Sequence, residues 1–140
     1  MSTGLHIGIA SRQRIDAGWI RRALTSAGYL DVTEEPDGRL SVATEIGVVS
    51  MEVVQSTGLL RFTALASEAF VIPDDSIERH AVVRRALERM DLARLSIYGD
   101  EEDGEFALVE YEISILAGLS RPQFLQLLRY FLKDLATLRQ

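Results

Sequence analysis

The chain has 140 residues, of which 47% are hydrophobic and 26% charged, with no cysteine and a formal net charge of −6. This length makes one domain that can fold without staples, and the missing cysteines exclude disulfides, thiolate zinc sites and a cysteine nucleophile. The acidic balance disfavours a nucleic-acid surface, which needs clustered excess cation, and no apolar run reaches the roughly 18 residues of a membrane-crossing helix.

In residues 1–11, Leu5, Ile7 and Ile9 alternate but Gly4 and Gly8 interrupt them; a flexible N-terminal tail is expected, ahead of a single domain over 12–140. The first arginine, Arg12, follows the apolar positions, the reverse of a signal peptide. A cytoplasmic protein is the expectation.

From about Arg12 to Ala27, Ile15, Trp19, Ala23 and Ala27 recur four apart, with Ile20 and Leu24 beside them. This is an amphipathic helix, and Gly28 sits where a left-handed residue closes it. The middle third changes period. A short segment, 31–35, leads to the Pro36-Asp37-Gly38 turn; Leu40, Val42 and Ile46, then Val49, Met51 and Val53, then Leu60, Phe62 and Ala64 alternate with polar neighbours. Short connections between them predict an antiparallel meander of three or four strands with one apolar face.

Asp75 is a cap for a second helix, with Glu78 as its partner three residues on and Ile77, Val83, Ala86, Leu87 and Met90 as apolar positions. Two strands follow, 94–98 and 105–114, joined by an acidic loop from Gly99 to Gly104. The last helix opens on Ser120 with Gln123 at the third position; Phe124, Leu128, Phe131, Leu135 and Leu138 form its stripe. The order is α-β-β-β-α-β-β-α, an α+β domain with a sheet of about five strands and three helices.

Chemistry finds little support. The two histidines, His6 and His80, suggest no triad and no zinc spacing. The acidic loop departs from a calcium loop because its glycine follows only four acidic residues, so a solvated hairpin tip is expected. Glu110 and Glu112 alternate along one strand and read as a wet face; no phosphate-binding glycine motif is present. Arg12, Arg14, Arg21 and Arg22, and Arg79, Arg84, Arg85 and Arg89, make two helices basic, which reads as solvated surface rather than as a nucleic-acid face. No catalytic residue, metal or cofactor is expected.

Several segments together resemble a known family. They are Ile20-Arg-Arg-Ala-Leu24 leading to Ala27-Gly28-Tyr29, Asp37-Gly38-Arg39-Leu40 with Thr44-Glu45-Ile46-Gly47, and Leu60-Arg-Phe-Thr63. Val109-Glu-Tyr-Glu112, Leu119-Ser-Arg-Pro-Gln-Phe124 and Leu128-Arg-Tyr-Phe131 complete the set. In this order, over residues 15–138, they resemble the YbjN family, small bacterial proteins labelled sensory-transduction regulators. The resemblance implies a type III secretion chaperone-like fold, a curved antiparallel sheet with helices packed on it, commonly a homodimer, and no catalytic residues.

The expected function is a non-enzymatic protein-interaction domain, chaperone-like or adaptor and regulatory, binding a protein partner or client as a homodimer, with no nucleic acid and no membrane. Ile15 and Trp19 are candidate anchors of a partner groove, and Phe124, Leu128 and Phe131 candidate dimer contacts, with the sheet as the alternative dimer surface. The alternative is a small-molecule sensor or enzyme with a pocket between sheet and helices, to which Tyr98 and Tyr111 would supply hydroxyls.

Overall fold

In the computed structural model, which describes residues 14–66, 71–100 and 102–138, each helix begins where the sequence offers a cap. The tail expected over 1–11 lies outside the described residues. Helix α1 (Ala17–Ser26) starts at Asp16, whose side chain accepts the Trp19 N–H at 2.9 Å. It begins later than the hydrophobic period alone indicates because Asp16 is extended. Its end is a Schellman closure: Gly28, at φ +92°, lets the Tyr29 N–H reach the Leu24 carbonyl at 3.0 Å. Helix α2 (Ser76–Arg89) is capped by Asp75, which accepts the Glu78 N–H at 3.0 Å. Helix α3 (Arg121–Leu138) carries a full capping box, with the Gln123 N–H on Ser120 Oγ at 3.2 Å and the Ser120 N–H on Gln123 Oε1 at 2.9 Å.

Between them run six strands, β1 (Val32–Glu34), β2 (Leu40–Ala43), β3 (Val48–Val54), β4 (Leu59–Leu65), β5 (Arg94–Asp100) and β6 (Gly104–Ser114). The sixth strand is the short 31–35 segment: β1 pairs with β2 across the Pro36-Asp37-Gly38 turn. The Arg39 N–H bonded to the Asp37 carboxylate holds that group below the usual aspartate range. The sheet order is β1-β2-β3-β4-β6-β5 and every adjacent pair is antiparallel. β4 and β5 therefore point the same way on either side of β6. Helix α2 carries the chain past the place that β6 later fills.

Because side chains alternate across a strand, the register fixes the two faces of the sheet. Leu40, Val42, Val49, Met51, Leu60, Phe62, Leu95 and Val109 point inward and are buried. Helices α1 and α3 cover that side. Phe62 is the centre of the contact, edge-on to Phe124 and Phe131 with ring centroids 5.9 and 5.6 Å away, and Trp19 meets Phe124 at 5.6 Å. Each of these phenylalanines contributes on the order of 1.5–3 kcal/mol by leaving water.

Candidate functional site: the outer face of the sheet

The expected partner contacts on the helices are inside the chain. Phe124, Leu128 and Phe131 have no exposed surface and Ile15 retains 4%. Trp19 is half-buried, packed on Phe124. The wide stripe of α3 is absorbed by the sheet and by α1, with Leu125, Leu127, Leu132 and Leu138 packed against the core. Ile15, Phe124, Leu128 and Phe131 pack the monomer core, and Trp19 keeps part of its surface.

Among the described residues, α1 and α3 pack on the Phe62 side, and the side chains of the opposite side fall into rows set by the register. Glu52, Arg61 and Glu112 line up across β3, β4 and β6, and Ser50, Thr63, Glu110 and Arg94 form the next row. Val48, Leu65 and Leu108 follow on neighbouring strands, and Phe106 and Tyr98 form the last row, on β6 and β5. Val48 is 59% exposed and Leu65 58%; Phe106 and Tyr98 are also exposed, with rings stacked at 6.0 Å and 25°. Val48, Leu65 and Leu108, with Ser50 and Thr63, line a depression of about 380 Å³.

The polar rows are internally paired. Arg61 Nε lies 3.2 Å from Glu112 Oε1, and another of its nitrogens lies 3.7 Å from Glu52. Arg94 reaches Glu112 at 3.3 Å and Glu110 at 3.8 Å. Glu110 corrects the wet-face expectation: it is only 5% exposed, and Tyr98 Oη donates to its Oε1 at 2.7 Å. That hydrogen bond to the carboxylate, then desolvation and the carboxylate's charge, push the Tyr98 phenol above its ordinary pKa. Glu112 is half-buried beside it.

Tyr98 and Tyr111 do not converge on a pocket. Tyr98 belongs to the outer face, whereas Tyr111 is opposite Phe62 in the β4–β6 ladder and packs edge-on against it inside. The two residues face opposite ways because Tyr98 pairs with Phe106, an odd number of residues from Tyr111. The Gly99–Gly104 loop is the β5–β6 hairpin tip, with the Asp103 N–H on Asp100 Oδ1 at 2.6 Å. Among the described residues no group of three or more histidines, aspartates or glutamates is placed to hold a metal ion. His80 lies exposed on α2 with Nδ1 2.9 Å from the Ser76 carbonyl. Of the helical arginines, Arg79 pairs with Glu105 and Arg89 donates to the Thr137 carbonyl at 3.0 Å, while Arg21, Arg22, Arg84 and Arg85 are exposed. Arg12 lies outside the described residues.

Val48, Leu65, Phe106 and Leu108 escaped the sequence reading as outer-face residues, yet a signal was present. Strict alternation leaves one polar residue between apolar ones; Val48-Val49, Leu59-Leu60 and Leu108-Val109 put two apolar residues side by side. In a strand, such a doublet makes both faces apolar.

The fold has solved counterparts. It is similar to the crystal structure of YbjN from E. coli, a candidate transcription regulator, with a TM-score of 0.70 over 89% of this chain and 88% of that one at 13% identity. It is also similar to a protein from Methanothermobacter thermautotrophicus with no characterised role, with a TM-score of 0.62 over 89% of this chain and 94% of the other at 14% identity. The chain thus has a YbjN-like α+β fold. No family model matches the sequence, and no curated protein matches it. No helix among the described residues is long and apolar enough to cross a membrane.

Proposed function

We propose that this chain is a non-enzymatic protein-interaction domain, chaperone-like or adaptor and regulatory, that works as a homodimer and meets its partner or client with the outer face of its sheet. One observation carries the reading: an exposed row of Val48 and Leu65 runs into the stacked Tyr98–Phe106 pair on the side of the sheet opposite the one on which, among the described residues, α1 and α3 pack. Contiguous exposed apolar surface of this kind marks interaction sites. The buried carboxylates have structural partners, Glu110 with Tyr98 and Asp134 with three backbone N–H groups, which supports a binding role over acid–base chemistry. The YbjN-like fold is compatible with that role.

The test is co-purification of tagged chain from its host, in parallel with Val48→Glu on the outer face and Leu30→Glu at an exposed site on the α1–β1 loop. A partner retained by wild type and Leu30→Glu but lost by Val48→Glu supports the reading. Partners indifferent to both variants remove it. Light scattering checks the homodimer; a monomer at every concentration refutes that part.

A further inference from the structure

The outer face has a direction. Val48, Leu65 and Leu108 cross three strands, and the stacked rings of Phe106 and Tyr98 lie one row nearer the β5–β6 hairpin. Beyond the rings stand Asp100, Glu102 and Asp103, all exposed. Three strands span about 10 Å across the sheet and β6 from Leu108 to the tip about 14 Å along it, so the diagonal, about 17 Å, matches an extended segment of about five residues.

Charge along this path is one-sided. The cations of the face, Arg61 and Arg94, are engaged by Glu52, Glu110 and Glu112, and Glu105 is engaged by Arg79 from α2. Among the described residues the carboxylates of Asp100, Glu102 and Asp103 form no ion pair, and Asp100 Oδ1 accepts the Asp103 N–H. Negative charge therefore collects at one end of an apolar track, with two aromatic rings between. An aromatic face beside carboxylates favours a guanidinium or ammonium group.

We infer that the outer face takes a short extended segment of another polypeptide, apolar along the Val48–Leu65–Leu108 row and ending in arginine or lysine at the hairpin tip. This rests on the interaction reading above and adds the chemistry of the partner. The segment's apolar side chains settle on the row and into the depression beside Ser50 and Thr63. Its cationic end crosses the Tyr98–Phe106 rings to the Asp100 and Asp103 carboxylates.

The experiment is fluorescence anisotropy with a labelled synthetic peptide of alternating valine and threonine ending in two arginines, against the same peptide ending in two glutamates. The arginine peptide should bind at least about 10-fold more tightly at low ionic strength, with the advantage shrinking as salt screens the tip. Phe106→Ser, and separately the pair Asp100→Asn with Asp103→Asn, should each weaken it, and Leu30→Ser should not. Circular dichroism confirms that each variant is folded. Equal binding of both peptides, lost with Phe106→Ser, overturns the charge assignment while leaving the interaction surface standing. No binding of either peptide, or binding indifferent to Phe106→Ser, overturns the proposal. Self-association that Val48→Glu abolishes makes a second copy the occupant and overturns it as well.

Discussion

Asp134 Oδ2 accepts the backbone N–H of Ala93 at 2.8 Å, joining the last helix to the start of β5 across 41 residues of sequence. The same carboxylate accepts the Asp91 and Leu92 N–H groups, each at 2.8 Å. Asp134 is 1% exposed, so the turn after α2 and the body of α3 form one buried polar joint. Three donors that would otherwise be orphaned are satisfied by one side chain.

Removing that side chain leaves those donors without an acceptor. Asp134→Ala is expected to cost on the order of 3 kcal/mol or more, and Asp134→Asn, which keeps one acceptor oxygen, less. Urea unfolding at an unchanged slope measures both; equal costs for the two variants would refute the three-donor account.

Phe131 separates a core helix from a dimer helix. Phe131→Ala should lose about 3–5 kcal/mol as a cavity opens beside Phe62, and Phe131→Glu should prevent folding, since a charge would be buried without a partner. A folded, monomeric Phe131→Glu protein in circular dichroism and light scattering would contradict this packing.

The Tyr98–Glu110 hydrogen bond has a pH signature. The Tyr98 phenol is raised above the ordinary value in the folded state, so its contribution to stability is complete below about pH 10 and is lost as pH rises through the folded pKa. Ultraviolet titration should show Tyr98 ionising above the ordinary tyrosine value, and Glu110→Gln should lower its pKa. An unchanged titration in that variant would refute the coupling.

Gly99 is a second structural test. It has φ +95°, and a Cβ there would run into the carbonyl oxygen of Gly104 across the hairpin. Because that neighbour is backbone, Gly99→Ala is expected to cost about 2 kcal/mol or more. Gly38→Ala, also at positive φ but with open space around it, should cost less. Thermal melts compare the two.

The caps, turns and periods were legible because each is a local event. Asp16, Asp75 and Ser120 bond within three residues of themselves, and the apolar stripe of α3 follows from helical geometry alone. The 31–35 segment becomes a sixth strand only because β2 lies within reach to pair with it.

The candidate surface belongs to a different class. Period two says that a strand has two faces without saying which one a helix will cover, and Val48-Val49 or Leu108-Val109 offers an apolar residue to each. The chain by itself determined its helices, the longer strands, their order and the antiparallel pairing of strands joined by short turns, since these depend on neighbours close in sequence; the pairing of β4 with β6, which sets Leu59 opposite Ser114, is tertiary. Only the tertiary structure decided that α1 and α3 take the Phe62 side, that Glu110 is buried by a tyrosine from the next strand, and that Asp134 caps a turn 41 residues away. Those outcomes depend on which distant surfaces meet, and burial is a property of the meeting rather than of either segment.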